Sequence, residues 1–149
     1  MYQHILVPTD GSPLSDKAVD AALKLAKLAG ARITVFHAVE PYPLQGAYAA
    51  EASGVPELQP EAFAERSEEF AKRVLDAVSR SAAAAKVDCT TAYATSRSVY
   101  QAIIDKARVE NCDLIVMASH GRRGLEGFLL GSETQKVLTH STIPVLVYR

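Results

Sequence analysis

The sequence predicts an α/β protein. The expected architecture is three-layer α/β/α, a doubly wound sheet of five mainly parallel strands with helices on both faces. Three observations carry this. Short apolar runs of strand type alternate with segments of helical periodicity along the whole chain. Strands separated by helices pair in parallel through right-handed crossovers. The run Asp113 to Ala118 (DLIVMA) shows no alternation, as expected of a strand covered on both faces. That run leads into a glycine-rich stretch, Ser119-His120-Gly121-Arg122-Arg123-Gly124, and then into Gly131-Ser132 and a short helical pattern.

Each element has its own signal. His4 to Pro8 (HILVP) is a first short strand. Ser12 and Pro13 supply an N-cap and an N1 proline. Leu14, Ala18, Ala21, Leu25 and Leu28 follow at helical spacing, and Gly30 closes that helix. Arg32 to Val39 is the second strand. Glu40 to Gln59 holds three prolines and two glycines and reads as a long, functional or mobile loop. Pro60 opens a long helix with Phe63, Phe70, Val74, Ala77 and Val78 on its apolar face, and its tail, Ser81 to Ala85, is helix-permissive filler. Val87 to Ala94 is the third strand. Ser98-x-x-Gln101 has the form of a capping box for a helix carrying Val99, Ile103 and Ala107. Asp113 to Ala118 is the fourth strand, Glu133 to His140 a short helix, and Ile143 to Tyr148 the fifth strand.

The chain has 149 residues, enough for one domain with a full core, and residues 1–149 read as a single unit. A net charge of −1 gives no field to gather nucleic acid or an anionic membrane. No apolar run approaches the roughly 20 residues that span a bilayer. The start, MYQHILVPTD, lacks a basic region and a signal-peptide core, so a cytoplasmic protein is expected. Cys89 and Cys112 form neither a disulfide framework nor a metal pair.

A strand running through a glycine loop into a helix presents bare N–H groups and a positive helix end to a phosphate. The spacing Gly121-x9-Gly131-Ser132 is neither that of the P-loop nor that of GxGxxG. In doubly wound folds, ligands sit at the carboxyl ends of the strands where the strand order reverses. Thr9-Asp10-Gly11, Val39-Glu40 and the glycine loop all follow strands and can meet there. Plainer readings stand beside this one. The glycines can simply shape a turn, and Ser132-x-x-Gln135 has the form of a capping box. The arginine pair can be solvated, and Thr9-Asp10-Gly11 is a common turn composition. His120 suggests proton transfer, yet no nucleophile–histidine–carboxylate spacing accompanies it, and it reads as a loop residue near the phosphates. His4, His37 and His140 read as structural.

Four segments together resemble the universal stress protein family: ILVPTDGS, VFHAVEP, DLIVMASHGRRGLEGFLLGS and VLTHSTIPVLVYR. The resemblance covers essentially the whole chain. It implies strand order 3-2-1-4-5 and, as in many members, a homodimer paired through the last strands. One branch of the family binds ATP through G-x2-G-x9-G-[ST]; another lacks the motif and does not. This chain keeps Gly121, the nine-residue spacer, Gly131 and Ser132, and replaces the first glycine by Ala118. It also has Arg97-Ser98-Val99 where relatives often carry Gly-x-Pro. By position, the resemblance assigns Asp10, with Pro8 and Thr9 before it, to the ribose or a phosphate-bound magnesium. Val39 would read the adenine by its backbone, and Met117 and Ala118 would line the floor. His120, Gly121, Arg122, Gly124, Gly131, Ser132, Glu133 and Thr134 would surround the phosphates.

The expected function is an ATP-binding stress-response regulator or sensor, with magnesium reaching Asp10 only through the nucleotide. No catalytic residue is expected and hydrolysis is at most slow, since no Walker lysine is present. The competing reading is a nucleotide-free interaction module of the same fold. A receiver-type phosphoacceptor lacks its acidic pair before Asp10, and an adenylating enzyme lacks an SGGxDS-type loop.

Overall fold

The computed structural model describes residues 1–121 and 130–149. Strands β1 (His4–Pro8), β2 (Arg32–Val39), β3 (Cys89–Thr95), β4 (Leu114–Ala118) and β5 (Val145–Tyr148) form one sheet in the order β3-β2-β1-β4-β5. All four pairings are parallel. The helices are α1 (Pro13–Ala29), α2 (Leu44–Ser53), α3 (Pro60–Ala85), α4 (Val99–Val109) and α5 (Ser132–His140).

Side-chain alternation along the strands splits the core in two. Ile5, Val7, Ile33, Val35, Leu114 and Val116 pack with Val19, Leu23, Leu75 and Val78 of α1 and α3. Leu6, Phe36, Ile115 and Met117 pack with Ile103, Ile104 and Val137 of α4 and α5. The non-alternating β4 is buried at every residue. Both sheet faces are therefore covered, as the sequence predicted.

Helix α1 begins as expected: the Ser12 side chain accepts the Ser15 amide, Pro13 is the first helical residue, and Gly30 ends the helix at φ 67°. Its buried face differs from the expected one. Leu28 is exposed, and the core positions are Ala18, Val19, Ala22, Leu23 and Ala26. In α3 the core face is Ala71, Leu75, Val78 and Ala82, whereas Ala77 is exposed. Within the alanine tail, Ala82 is buried in the core and Ala85 packs against it, while Ser81, Ala83 and Ala84 are exposed.

The segment read as a loop, residues 40–59, contains α2 and a 3₁₀ turn at Pro56–Leu58. Its prolines stand where helices accept them: Pro43 is the N-cap of α2 and Pro56 the first residue of the turn. Gly54 ends α2 at φ 65°. Between these breakers the alanine-rich stretch LQGAYAAEAS is a good helix former. The Ser98 capping box does not form either. Ser98 makes no cap bond, and Gln101 donates to Asp105 instead.

Among the described residues no helix is long and apolar enough to cross a membrane. Cys112 is buried, which pushes its thiol up to about 11, and Cys89 is raised for the same reason. Both thiols stay protonated and unreactive at neutral pH.

His4 sits at the amino end of β1 with its Nε2 at 2.8 Å from Thr34 Oγ1. Burial, and then the Arg32 charge, hold it below its ordinary 6.5. The folded state thus keeps His4 neutral, while the unfolded chain takes up a proton as pH falls below 6.5. Its contribution to stability is present above 6.5 and lost as pH falls through the folded value. Melting temperature should fall on acidification between about pH 7 and pH 5. His4→Gln should flatten that slope. An unchanged slope in the variant would remove His4 as the titrating group.

Candidate functional site

The carboxyl ends of the strands open into a cleft of about 680 Å³. It lies where the order reverses, with β1 running out between β2 and β4. Pro8, Thr9, Asp10, Val39, Met117, Ala118, His120, Gly121, Gly131, Ser132, Glu133 and Thr134 all line it. Two other residues expected there, Arg122 and Gly124, lie outside the described residues.

The β1–α1 loop is held by a chain of hydroxyls. Gly11 N–H donates to Thr9 Oγ1 at 3.2 Å, Thr9 Oγ1 stands 3.0 Å from Ser15 Oγ, and Ser15 Oγ donates to the Ser12 carbonyl. Asp10 Oδ1 accepts the Ser12 amide at 3.0 Å, which aims its carboxylate across the cleft. A Cβ on Gly121 would collide with Asp10 Oδ2. Gly121 is therefore needed for close approach rather than for an unusual φ. The reason at Gly131 is similar: a Cβ there would stand 3.1 Å from His120 Cα and 3.2 Å from the Ser119 carbonyl oxygen.

Helix α5 starts at this point, and its side chains and amides divide their work. Gly131 N–H donates to the Ser119 carbonyl at 2.8 Å, so this amide holds the loop together and is not free for a ligand. Thr134 Oγ1 donates to the Ala118 carbonyl at 3.0 Å, pinning the helix to β4. Ser132 makes no capping bond and is exposed. Its box partner Gln135 donates to the Leu130 carbonyl. The amides of Ser132, Glu133 and Thr134 find no acceptor among the described residues, as the first amides of a helix do.

The Glu133 carboxylate turns away from the cleft to α4. Its Oε2 accepts the Tyr100 amide at 2.8 Å and its Oε1 pairs with Lys136 at 3.0 Å. Glu133 thereby supplies the N-cap that Ser98 does not. Removing it in Glu133→Ala should cost about 1 kcal/mol, seen as a melting temperature lower by roughly 2–4 °C. Glu133→Gln keeps an acceptor and should recover most of that loss. Equal melting temperatures for wild type and Glu133→Ala would show the cap to be idle.

On the other side, the base end of the cleft is set by β2. Val39 lines the cleft, but its carbonyl accepts the Ser96 amide at 2.9 Å and it stands opposite Thr95 of β3. In a parallel ladder one residue's N–H and C=O face the same neighbour. Both polar groups of Val39 therefore belong to β3. Ala38 faces the opposite way, beyond the last β1 pair Pro8–Phe36, and its N–H and C=O meet no partner among the described residues. It also lines the cleft. The backbone pair available to a ligand is that of Ala38, one residue from the position expected.

His37, read from the sequence as structural, also lines the cleft. Its Nδ1–H donates to the Thr9 carbonyl at 2.8 Å, which fixes the tautomer and leaves Nε2 as an acceptor. His120 Nδ1 lies 3.2 Å from Ser119 Oγ. Among the described residues no group of three or more His, Cys, Asp or Glu could hold a metal.

A sequence profile described as "Universal stress protein family" matches residues 1–149. The chain belongs to the universal stress protein family. Universal stress protein YxiE of Bacillus subtilis (strain 168) is 32% identical over 149 residues, covering 100% of both chains. Universal stress protein UspA from Lactobacillus plantarum shares the fold at TM-score 0.80 and 24% identity, over 99% of this chain and 98% of that one. A universal stress protein solved in complex with cAMP superposes at TM-score 0.69 with 25% identity, over 99% of this chain and 97% of that one.

Proposed function

We propose that this universal stress protein binds an adenine nucleotide, ATP foremost, and acts as a regulator or sensor in the cytoplasm. The observation that carries the reading is two sets of backbone groups, at opposite ends of one cleft, that find no partner among the described residues. Ala38 offers a donor and an acceptor to a base edge, and the first amides of α5 offer donors to an anion. Asp10 lies between them, suited to the ribose or to a magnesium riding on the phosphates. The family member solved with cAMP supports an adenine nucleotide as the class of ligand.

The replacement of the motif's first glycine by Ala118 is compatible with this reading. Ala118 needs no positive φ. Side chains alternate along β4, so its methyl belongs with Leu114 and Val116 on the α1 side, away from α5. Calorimetric titration with ATP, with and without magnesium, tests the proposal, and melting temperature should rise with ATP. Ala118→Gly should bind within a few-fold of wild type. Absence of heat and of a thermal shift at millimolar ATP in both proteins would leave the interaction-module reading.

The same reading includes a homodimer. β5 is an edge strand with Leu146 exposed, and an open apolar edge invites pairing with its own copy. A monomer at every concentration in sedimentation velocity would remove this part.

A further inference from the structure

The Ala38 backbone alone does not select adenine. An N–H and a C=O side by side match any base edge that pairs a ring acceptor with an exocyclic amine. Adenine has such an edge, and so does cytosine. Held in the same orientation, guanine and uracil present the inverse pattern on their Watson–Crick edges, so adenine and cytosine are the pair the backbone treats alike. Something else in the cleft must separate the two-ring base from the one-ring base.

Hydrogen bonds from a strand backbone lie close to the sheet plane. A base held by Ala38 therefore extends that plane, and its two faces look toward the two helical layers. On the α4 side stand the aliphatic groups of Val99, Ile103 and Met117. On the α3 side stand Phe63, Arg66, Ser67 and Phe70. Their spacing of three, four and seven puts all four on one stripe of the helix.

The aromatic pair is fixed in place. The Phe70 ring packs against His37 with centroids 5.6 Å apart. Its tip lies so close to the β1–α1 loop that a Cβ on Gly11 would stand 3.4 Å from Phe70 Cζ. Phe70 thus marks the floor of the cleft beside Asp10. Phe63 lies about 10 Å further along the helix, at the mouth, held edge-on by Tyr42 at 5.3 Å. Arg66 is exposed between them, and a guanidinium in that position can lie flat on a purine.

We propose that the α3 stripe Phe63–Arg66–Phe70 is the base-stacking wall of the cleft and selects adenine over cytosine. This rests on the nucleotide reading above. Stacking scales with the area of the base, so a purine gains more from the wall than a pyrimidine does. The experiment compares ATP and CTP by calorimetric titration on wild type, Phe63→Ala, Arg66→Ala and Phe70→Leu, with melting temperatures alongside. Wild type should prefer ATP by on the order of tenfold or more. Phe63→Ala and Arg66→Ala, at the mouth and outside the core, should each shrink the ratio severalfold by weakening ATP more than CTP. Phe70→Leu should do the same, provided its melting temperature shows it folded. An ATP/CTP ratio unchanged in Phe63→Ala and Arg66→Ala would overturn the wall. Failure of wild type to bind either nucleotide would overturn the nucleotide reading itself, which is a different result.

Discussion

Replacing Ala38 by proline should weaken ATP binding by roughly tenfold or more while leaving the sheet folded, whereas the same change at Val39 should damage the fold. The two residues are adjacent and differ in which way their backbones face. The Ala38 N–H has no partner among the described residues, so proline there removes no ladder bond. It does remove the donor proposed to meet the base, and would leave the ring acceptor of a bound base buried without a partner. That penalty is about 1–3 kcal/mol, or roughly tenfold to a hundredfold in affinity, before any clash of the pyrrolidine ring. Ala38→Gly is the control: it keeps the donor and should stay within a few-fold. At Val39 the backbone is paired with β3, so proline breaks the ladder. Calorimetry and thermal melts on the three variants check this. Wild-type affinity in a folded Ala38→Pro would remove the Ala38 backbone from the site.

The fold could be read from the chain because its signals agree. The period of the apolar residues, the Ser12-Pro13 start, the Gly30 stop and the unbroken LIVMA strand each point to the same layered sheet. Most of the crevice could be read too, because topology alone sends the loops after β1, β2 and β4 to one place. What the sequence does not show has specific causes. Choosing between Ala38 and Val39 requires the pairing side of each residue, and an apolar run such as RITVFHAV does not show which neighbour each amide faces. Phe63 and Phe70 read as ordinary core positions, since an apolar stripe looks the same whether it covers a sheet or overhangs it. A length argument could have separated the two. A helix of 26 residues is about 39 Å long, while a strand of eight spans only about 26 Å. The excess falls at least partly at the start of α3, where Phe63, Arg66, Ser67 and Phe70 line the cleft. The helix in residues 40–59 was hidden by its own breakers, because prolines and glycines that cap a short helix have the composition of a loop. The capping boxes at Ser98 and Ser132 matched the sequence pattern but not the packing, which gave α4 a cap from Glu133 instead.

Gly131→Val should weaken ATP binding at least tenfold, or about 1.4 kcal/mol, and should also lower the melting temperature. The cause is the loop itself rather than a clash with phosphate. A Cβ at this position stands 3.1 Å from His120 Cα and 3.2 Å from both His120 Cβ and the Ser119 carbonyl oxygen. Two of these neighbours are backbone atoms at the end of β4, where Ser119 N–H is already bonded to the Tyr148 carbonyl. They are held by that bond, so the start of α5 should be what gives, by a few tenths of an ångström. That shift would strain the 2.8 Å bond from Gly131 N–H to Ser119 and turn the amides of Ser132, Glu133 and Thr134 from their line into the cleft. Gly131→Ala, with one carbon to place, should fall between wild type and valine. Ser132→Ala separates backbone from side chain: the hydroxyl caps nothing and is exposed, so if amides hold the phosphates its loss should change affinity only a few-fold. Titrating ATP, ADP and adenosine into each variant completes the test. The Gly131 variants should lose affinity for ATP more than for adenosine, because only the phosphates meet α5. A uniform loss across the three ligands would place the damage at the base end, and a large loss in Ser132→Ala would transfer the phosphate contact from the backbone to the hydroxyl.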